Sequence, residues 1–225
     1  MTARVAAPPM PFSTECRACP RLAQHLADVR AGNPAYHARP VPPFGDDFPR
    51  LLIVGLAPGM HGANRTGRPF TGDYAGALLY ETLHRYGYAN RPEAIARDDG
   101  LRLSECRITN AVKCLPPQNK PLPDEVKRCN AHLQEELRHL PGAAVVLALG
   151  AIAHQAVLMA LDLRRRDYPF AHGATHVLPE GRTLFDSYHC SRYNTQTKRL
   201  TKPMFNQVFR DIAQYLSKTC PKPRP

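Results

Sequence analysis

Residues 51–73 read LLIVGLAPGMHGANRTGRPFTGD, and the fold turns on how this stretch is read. Leu51, Leu52, Ile53 and Val54 form a short β-rich apolar run ended by Gly55, which suits a buried strand better than a helix. The loop beyond carries Pro58, Gly59, Gly62, Gly67 and Pro69 with polar side chains between them, and a second periodic segment begins at Tyr74. Strand, Gly-rich loop, helix is the layout in which α/β proteins hold ligands, at the carboxyl ends of the strands. The loop matches neither the dinucleotide-binding nor the P-loop fingerprint, so those nucleotide sites are not supported.

Working outward, Leu78, Leu79, Thr82, Leu83 and Tyr86 recur at helical spacing after Asp73, which stands at an N-cap position; Gly87 sits where a C′ glycine belongs. Upstream, Pro20 opens a helix through about Val29 with Cys19 at its entrance. Residues 33–49 are Pro-rich and read as an extended surface connection. Downstream, residues 106–112 (CRITNAV) predict a second strand with Asn110 near its end. Pro123 and Asp124 then open an amphipathic helix whose stripe is Val126, Cys129, Leu133, Leu137 and Leu140. A buried strand at 143–149, a turn at Gly150, a helix at 151–163 and short strands around 175–178 and 183–187 follow. Pro203 opens a last helix with Met204, Val208, Ile212 and Leu216 facing inward. Strands alternating with helices imply a parallel sheet between helical layers, in a single domain over 1–225 with loose tails at about 1–14 and 219–225.

The formal net charge of +11 and a pI near 9.6 call for a polyanionic partner, of which nucleic acid is the commonest. No apolar run approaches the ~20 residues that span a bilayer, and the N-terminus lacks the apolar core of a signal peptide. A cytoplasmic protein without membrane association is expected. Seven cysteines in such a chain point to ligands or buried apolar residues rather than disulfides. Cys16 and Cys19 form a C-x-x-C, and Cys114 and Cys129 a wider pair. Four thiolates can hold tetrahedral zinc or an iron–sulfur cluster, and this spacing fits neither a zinc ribbon nor a ferredoxin run.

Three stretches point to one end of the sheet: GLAPGMHGANRTGRPFTGD at 55–73, TNAVKCLPPQNKP at 109–121 and HCSRYN at 189–194. With the early C-x-x-C they resemble the uracil-DNA glycosylase superfamily, specifically its iron–sulfur family 5 (type b), from about Cys16 to the last helix. Family 4 usually has a Glu after the first glycine and lacks the Asp of TGD; here Leu56 replaces that Glu and Asp73 is present. Cys190 stands where the third stretch usually has Pro.

The resemblance implies a three-layer α/β/α fold around a mostly parallel four-stranded sheet. It also implies a monomeric DNA-repair enzyme, associated with the nucleoid through DNA, that flips uracil and other deaminated or modified bases and hydrolyses their glycosidic bond. Cys16, Cys19, Cys114 and Cys129 would hold a [4Fe–4S] cluster. Gly55, Ala57, Phe70, Asn110 and His189 would bind the base, Phe70 by stacking, unless it is an ordinary core residue. Asn110 can donate and accept at once, matching a uracil edge, or else close a strand-end turn. His189 would donate to the departing base. Asp73 would orient water and stabilise the sugar cation, or serve as a cap alone; a capping carboxylate is expected to keep a low pKa. His61, Asn64 and Arg65, with Ser191, Arg192, Tyr193, Asn194, Lys198 and Arg199, would face DNA, Arg192 or Tyr193 acting as the wedge. Two other classes remain on the residues alone: a non-catalytic nucleic-acid-binding module with structural zinc, and a phosphate-binding enzyme using the Gly-rich loop.

Overall fold

The computed structural model describes residues 12–219. The tails expected at 1–14 and 219–225 lie outside that range except at their inner edges; Thr219 closes the final helix. The elements run α1 (Pro20–Gly32), β1 (Phe44–Gly45), β2 (Leu51–Gly55), α2 (Ala63–Thr66), α3 (Tyr74–Arg85), β3 (Cys106–Asn110), α4 (Pro123–Arg138), β4 (Val145–Leu149), α5 (Ala151–Ala160), β5 (Thr175–Val177), β6 (Thr183–Ser187), α6 (Arg192–Gln196) and α7 (Lys202–Thr219).

The sheet order is β1-β3-β2-β4-β6-β5. The mostly parallel core is β3, β2, β4 and β6, all mutually parallel. Two antiparallel edge strands, the unexpected β1 on β3 and the short strand expected around 175–178 (β5) on β6, make six where the resemblance implied four. The connection expected over 33–49 therefore contains β1. Two residues between Pro43 and Pro49 show no period, and proline-flanked pairing is tolerated at an edge.

Both faces are covered, which is why β2 and β4 are buried at every position and read as unbroken apolar runs. Leu52, Val54, Val146 and Ala148 pack with α1, α4 and α5; Leu51, Ile53, Val145 and Leu147 pack with α3 and α7. The α7 stripe holds Phe205 and Phe209 besides the expected Val208, Ile212 and Leu216, with Met204 at its margin. Neighbouring β2 and β4 have β3 beyond one and β6 beyond the other. Such a reversal of strand order opens a crevice at the carboxyl ends.

Candidate active site

That crevice is a cavity of about 440 Å³. Each loop singled out by sequence contributes to its wall: Ala57, Phe70 and Asp73 from the first, Asn110 and Asn119 from the second, His189 and Ser191 from the third.

Its floor depends on Gly55. A Cβ there would fall 2.4 Å from Asn110 Oδ1 and 2.7 Å from Phe70 Cζ, so a glycine lets both side chains close over the strand end. Asn110 is buried, and its Oδ1 has no hydrogen-bond partner in the protein. A buried acceptor left unpaired costs about 1–3 kcal/mol, which a ligand donor would recover.

Phe70 has a φ of 52°, a left-handed conformation costing about 1–3 kcal/mol outside glycine. Its surroundings impose it. The Tyr80 hydroxyl donates to the Pro69 carbonyl at 2.8 Å, and Gly76 leaves room for the Phe70 carbonyl, which a Cβ would meet at 1.8 Å. Arg68, buried, donates through Nε to Thr71 Oγ1 at 2.8 Å and forks onto both Asp99 oxygens at 2.9 and 2.7 Å. Burial opposes the Asp99 charge, yet Arg68 and the N–H groups of Leu101, Ile95 and Ala96 hold the carboxyl well below its usual range. Sequence reasoning missed this clamp, because Asp99 lies in an irregular segment with no period.

Asp73 is the N-cap of α3, its Oδ1 accepting from the Gly76 N–H at 2.8 Å. The carboxylate lies against the Gly-rich turn: a Cβ on Gly62 would come within 2.2 Å of Oδ2. Burial pushes the carboxyl up, and the Gly76 and Ala75 N–H groups offset only part of that. The expected low pKa of a cap is thus corrected, because this cap faces a cavity rather than solvent.

The His189 ring stacks on Phe70, centroids 5.8 Å apart and planes 26° off parallel. Burial pushes its imidazole down to about 4, so it is neutral at physiological pH. Its carbonyl accepts from Asn194 Nδ2 at 2.8 Å, and the Ser191 side chain caps α6 by accepting from the Asn194 N–H. Those contacts pin the loop where Cys190, fully buried, replaces proline.

The residues expected at DNA divide. His61 and Arg65 are exposed by α2; Arg192, Tyr193, Lys198 and Arg199 are exposed on and after α6. These two short helices flank the cavity, for Ala63 and Ser191 both line it. Tyr193 is 71% exposed, a large apolar ring presented to solvent. Arg199 stacks over the Tyr188 ring, 4.6 Å from its centroid. Asn64 is corrected: its side chain is fully buried, because the turn draws its N–H onto the Gly59 carbonyl and its carbonyl onto the Ala38 N–H. Asn194 and Ser191 spend their side chains on the loop itself.

Cys16, Cys19, Cys114 and Cys129 all line one small cavity between α1, α4 and the loop after β3. The Lys113 N–H donates to Cys129 Sγ at 3.3 Å, and the Lys113 ammonium is buried against Glu136 at 2.6 Å. Burial pushes the Cys114 thiol up to about 12, helped by its neighbours Cys129, Cys16 and Cys19. Six cysteines lie among the described residues, and none of those six is in a disulfide. No helix among these residues is long and apolar enough to cross a membrane.

The sequence profile of the Uracil DNA glycosylase superfamily matches residues 42–213. A Type-5 uracil-DNA glycosylase from Thermus thermophilus is 52% identical over 201 residues, covering 87% of this chain and 91% of that protein. One from Mycobacterium leprae is 43% identical over 204 residues, covering 87% and 89%. A Type-4 uracil-DNA glycosylase from Archaeoglobus fulgidus is 35% identical over 124 residues, covering 55% of this chain and 54% of that protein. The Gly-rich loop, the Asn110 strand end and the His189 loop all fall within the matched span, and the chain belongs to the uracil-DNA glycosylase superfamily, among its type-5 members.

Proposed function

We propose that the chain is a monofunctional uracil-DNA glycosylase that takes uracil out of DNA and hydrolyses its N-glycosidic bond, leaving an abasic site. The observation that carries this reading is Asn110, which lines the cavity with its Oδ1 buried and unpaired, beside the Phe70 ring and a neutral His189. Uracil offers N3–H as donor and O4 as acceptor, and one carboxamide answers both. Phe70 supplies the stacking face for the extruded base.

The bond breaks as the base leaves with its electron pair and the sugar takes on oxocarbenium character. Neutral His189 donates a hydrogen bond to the charge growing on uracil O2, an interaction stronger in the transition state than in the ground state. Asp73, in its carboxylate form and held by its cap bonds, would face the sugar side, stabilise the cation and orient the attacking water. Leu56 and Ala57 offer no carboxylate, so Asp73 carries this part of the work. The open cavity, which Gly150 and Ala151 help to line, suits other deaminated or modified bases as well. His61, Arg65, Lys198 and Arg199 grip phosphates without reading sequence, and Tyr193 fills the vacated stack. The enzyme acts as a cytoplasmic monomer on DNA.

The four cysteines would hold a [4Fe–4S] cluster. Soft thiolates gathered around one cavity suit an iron–sulfur cluster. The Lys113 N–H to Cys129 is the kind of hydrogen bond that stabilises cluster thiolates. When bound, the cluster supplies cross-linking of α1, α4 and the loop after β3, and no redox step. Anaerobically purified protein is expected to be brown with about four irons per chain; one zinc without sulfide would overturn the cluster. The enzymatic reading is tested by base release from uracil-containing duplex and single strands. Free uracil with an intact abasic strand is the expected product, and binding without release would leave only a DNA-binding module.

A further inference from the structure

A second cluster of ligand-type side chains lies away from the cavity and from the cysteines. His154 on α5, His176 on β5 and Asp186 on β6 bring one ligand atom each within 4.8 Å of one another. His154 and Asp186 are buried, at 2% and 0% exposure, and His176 is mostly covered. None of the three touches the proposed chemistry.

The hydrogen bonding of His154 decides what this cluster does. Its Nε2 lies 2.9 Å from the Tyr168 carbonyl, which can only accept, so Nε2 carries a proton. Its Nδ1 lies 2.8 Å from Asp186 Oδ1, another acceptor when ionised. In a neutral imidazole two lone pairs would then face each other. Either a second proton or a cation must stand between them.

The second imidazole favours the cation. His176 Nε2 is 3.3 Å from Asp186 Oδ2, and both atoms are buried without a hydrogen-bond partner. One nitrogen from each imidazole and the Asp186 carboxylate thus converge within 4.8 Å of one another, a three-residue N₂O donor set. Around zinc with bonds near 2.0 Å, tetrahedral neighbours stand about 3.3 Å apart, the separation of His176 Nε2 from Asp186 Oδ2. The Tyr168 carbonyl holding the remote N–H of His154 is the outer contact that fixes a ligating histidine's tautomer.

We propose that His154, His176 and Asp186 form a largely buried three-residue site for a borderline divalent transition ion of the zinc type. Its role is structural. The ion ties the edge strand β5 and helix α5 to β6, the strand that runs on to His189 three residues after Asp186.

The test uses the full chain with its cysteine site as purified. Cobalt(II) titration of wild type should give the visible bands of a nitrogen–oxygen site without thiolate charge transfer, which separates it from metal at the cysteines. Saturating zinc should raise the thermal midpoint by roughly 5 °C or more. Both responses should disappear in His176→Gln, which lies on an edge strand, and in Asp186→Asn if that variant folds. A wild type that gives no such cobalt spectrum and no thermal shift would overturn the site, leaving a protonated His154–Asp186 pair. Unchanged responses in His176→Gln would overturn it equally.

Discussion

The cavity floor and the loop that follows His189 are adjacent in space and opposite in construction. The floor is made of groups held against their preferences: a left-handed Phe70, an unpaired Asn110 oxygen, a buried Asp73 carboxyl and a His189 stripped of its usual basicity. The loop is mostly made of groups in ordinary settings, the left-handed Lys198 with its φ of 58° apart. Ser191 caps a short helix, Arg199 stacks on Tyr188, and Arg192, Tyr193 and Lys198 stand in solvent. Strain and desolvation are tolerated where charge develops in the transition state, whereas phosphates need only exposed, flexible cations. Changes to the floor should therefore be felt in the chemical step, and changes to the loop in binding.

The largest effects should come from the floor. His189→Ala and Asp73→Ala are expected to slow single-turnover base release by roughly 10²-fold or more, the scale of losing one preorganised polar group, with substrate-analogue affinity nearly kept. Comparable losses in affinity and rate would break the division. Next comes Gly62→Ala. Its Cβ would overlap Asp73 Oδ2 at 2.2 Å, so the carboxylate must move; a misplacement near 1 Å costs up to about 10²-fold. Full activity in that variant would show that the position of Asp73 is not critical.

Much of this floor was legible from residue types and positions. Asp73 before a periodic segment announced a cap, Gly55 after an apolar run announced a strand end, and His189 opened a polar loop after a strand. What stayed hidden depends on contacts distant in sequence. Nothing local ties Asp99 to Arg68, or His154 to Asp186. Asn64, a polar residue in a Gly-rich loop, reads as exposed, yet the turn folds it inward. The elevated Asp73 carboxyl needed the cavity to be seen, since a sequence shows a cap and not what covers it.

A subtler effect concerns pH. His189 titrates near 4 in the folded chain and near 6.5 when unfolded. Between those values the unfolded state binds the extra proton, so stability is full above about pH 6.5 and declines as pH falls toward 4. The His189 contribution to that decline is at most about 3 kcal/mol, and urea titrations of wild type and His189→Gln at pH 7 and pH 5 should reveal it. Parallel losses in both proteins would mean that His189 is solvated. The smallest effects belong to the loop: Lys198→Ala and Arg199→Ala should each flatten the salt dependence of DNA affinity by about 0.9 in log–log slope, leaving single-turnover release unchanged. Unaltered slopes would remove the loop from the phosphate surface.

The central claim, that the buried carboxylate at the cavity works in catalysis as well as capping a helix, is tested most directly by Asp73→Asn. Asn caps a helix as well as Asp does, so the substitution keeps the hydrogen bond to Gly76 and removes only the charge. Single-turnover release of uracil should fall by roughly 10²-fold in a variant whose thermal midpoint and DNA affinity match the wild type. A stable Asp73→Asn protein that releases uracil at the wild-type rate would contradict the account.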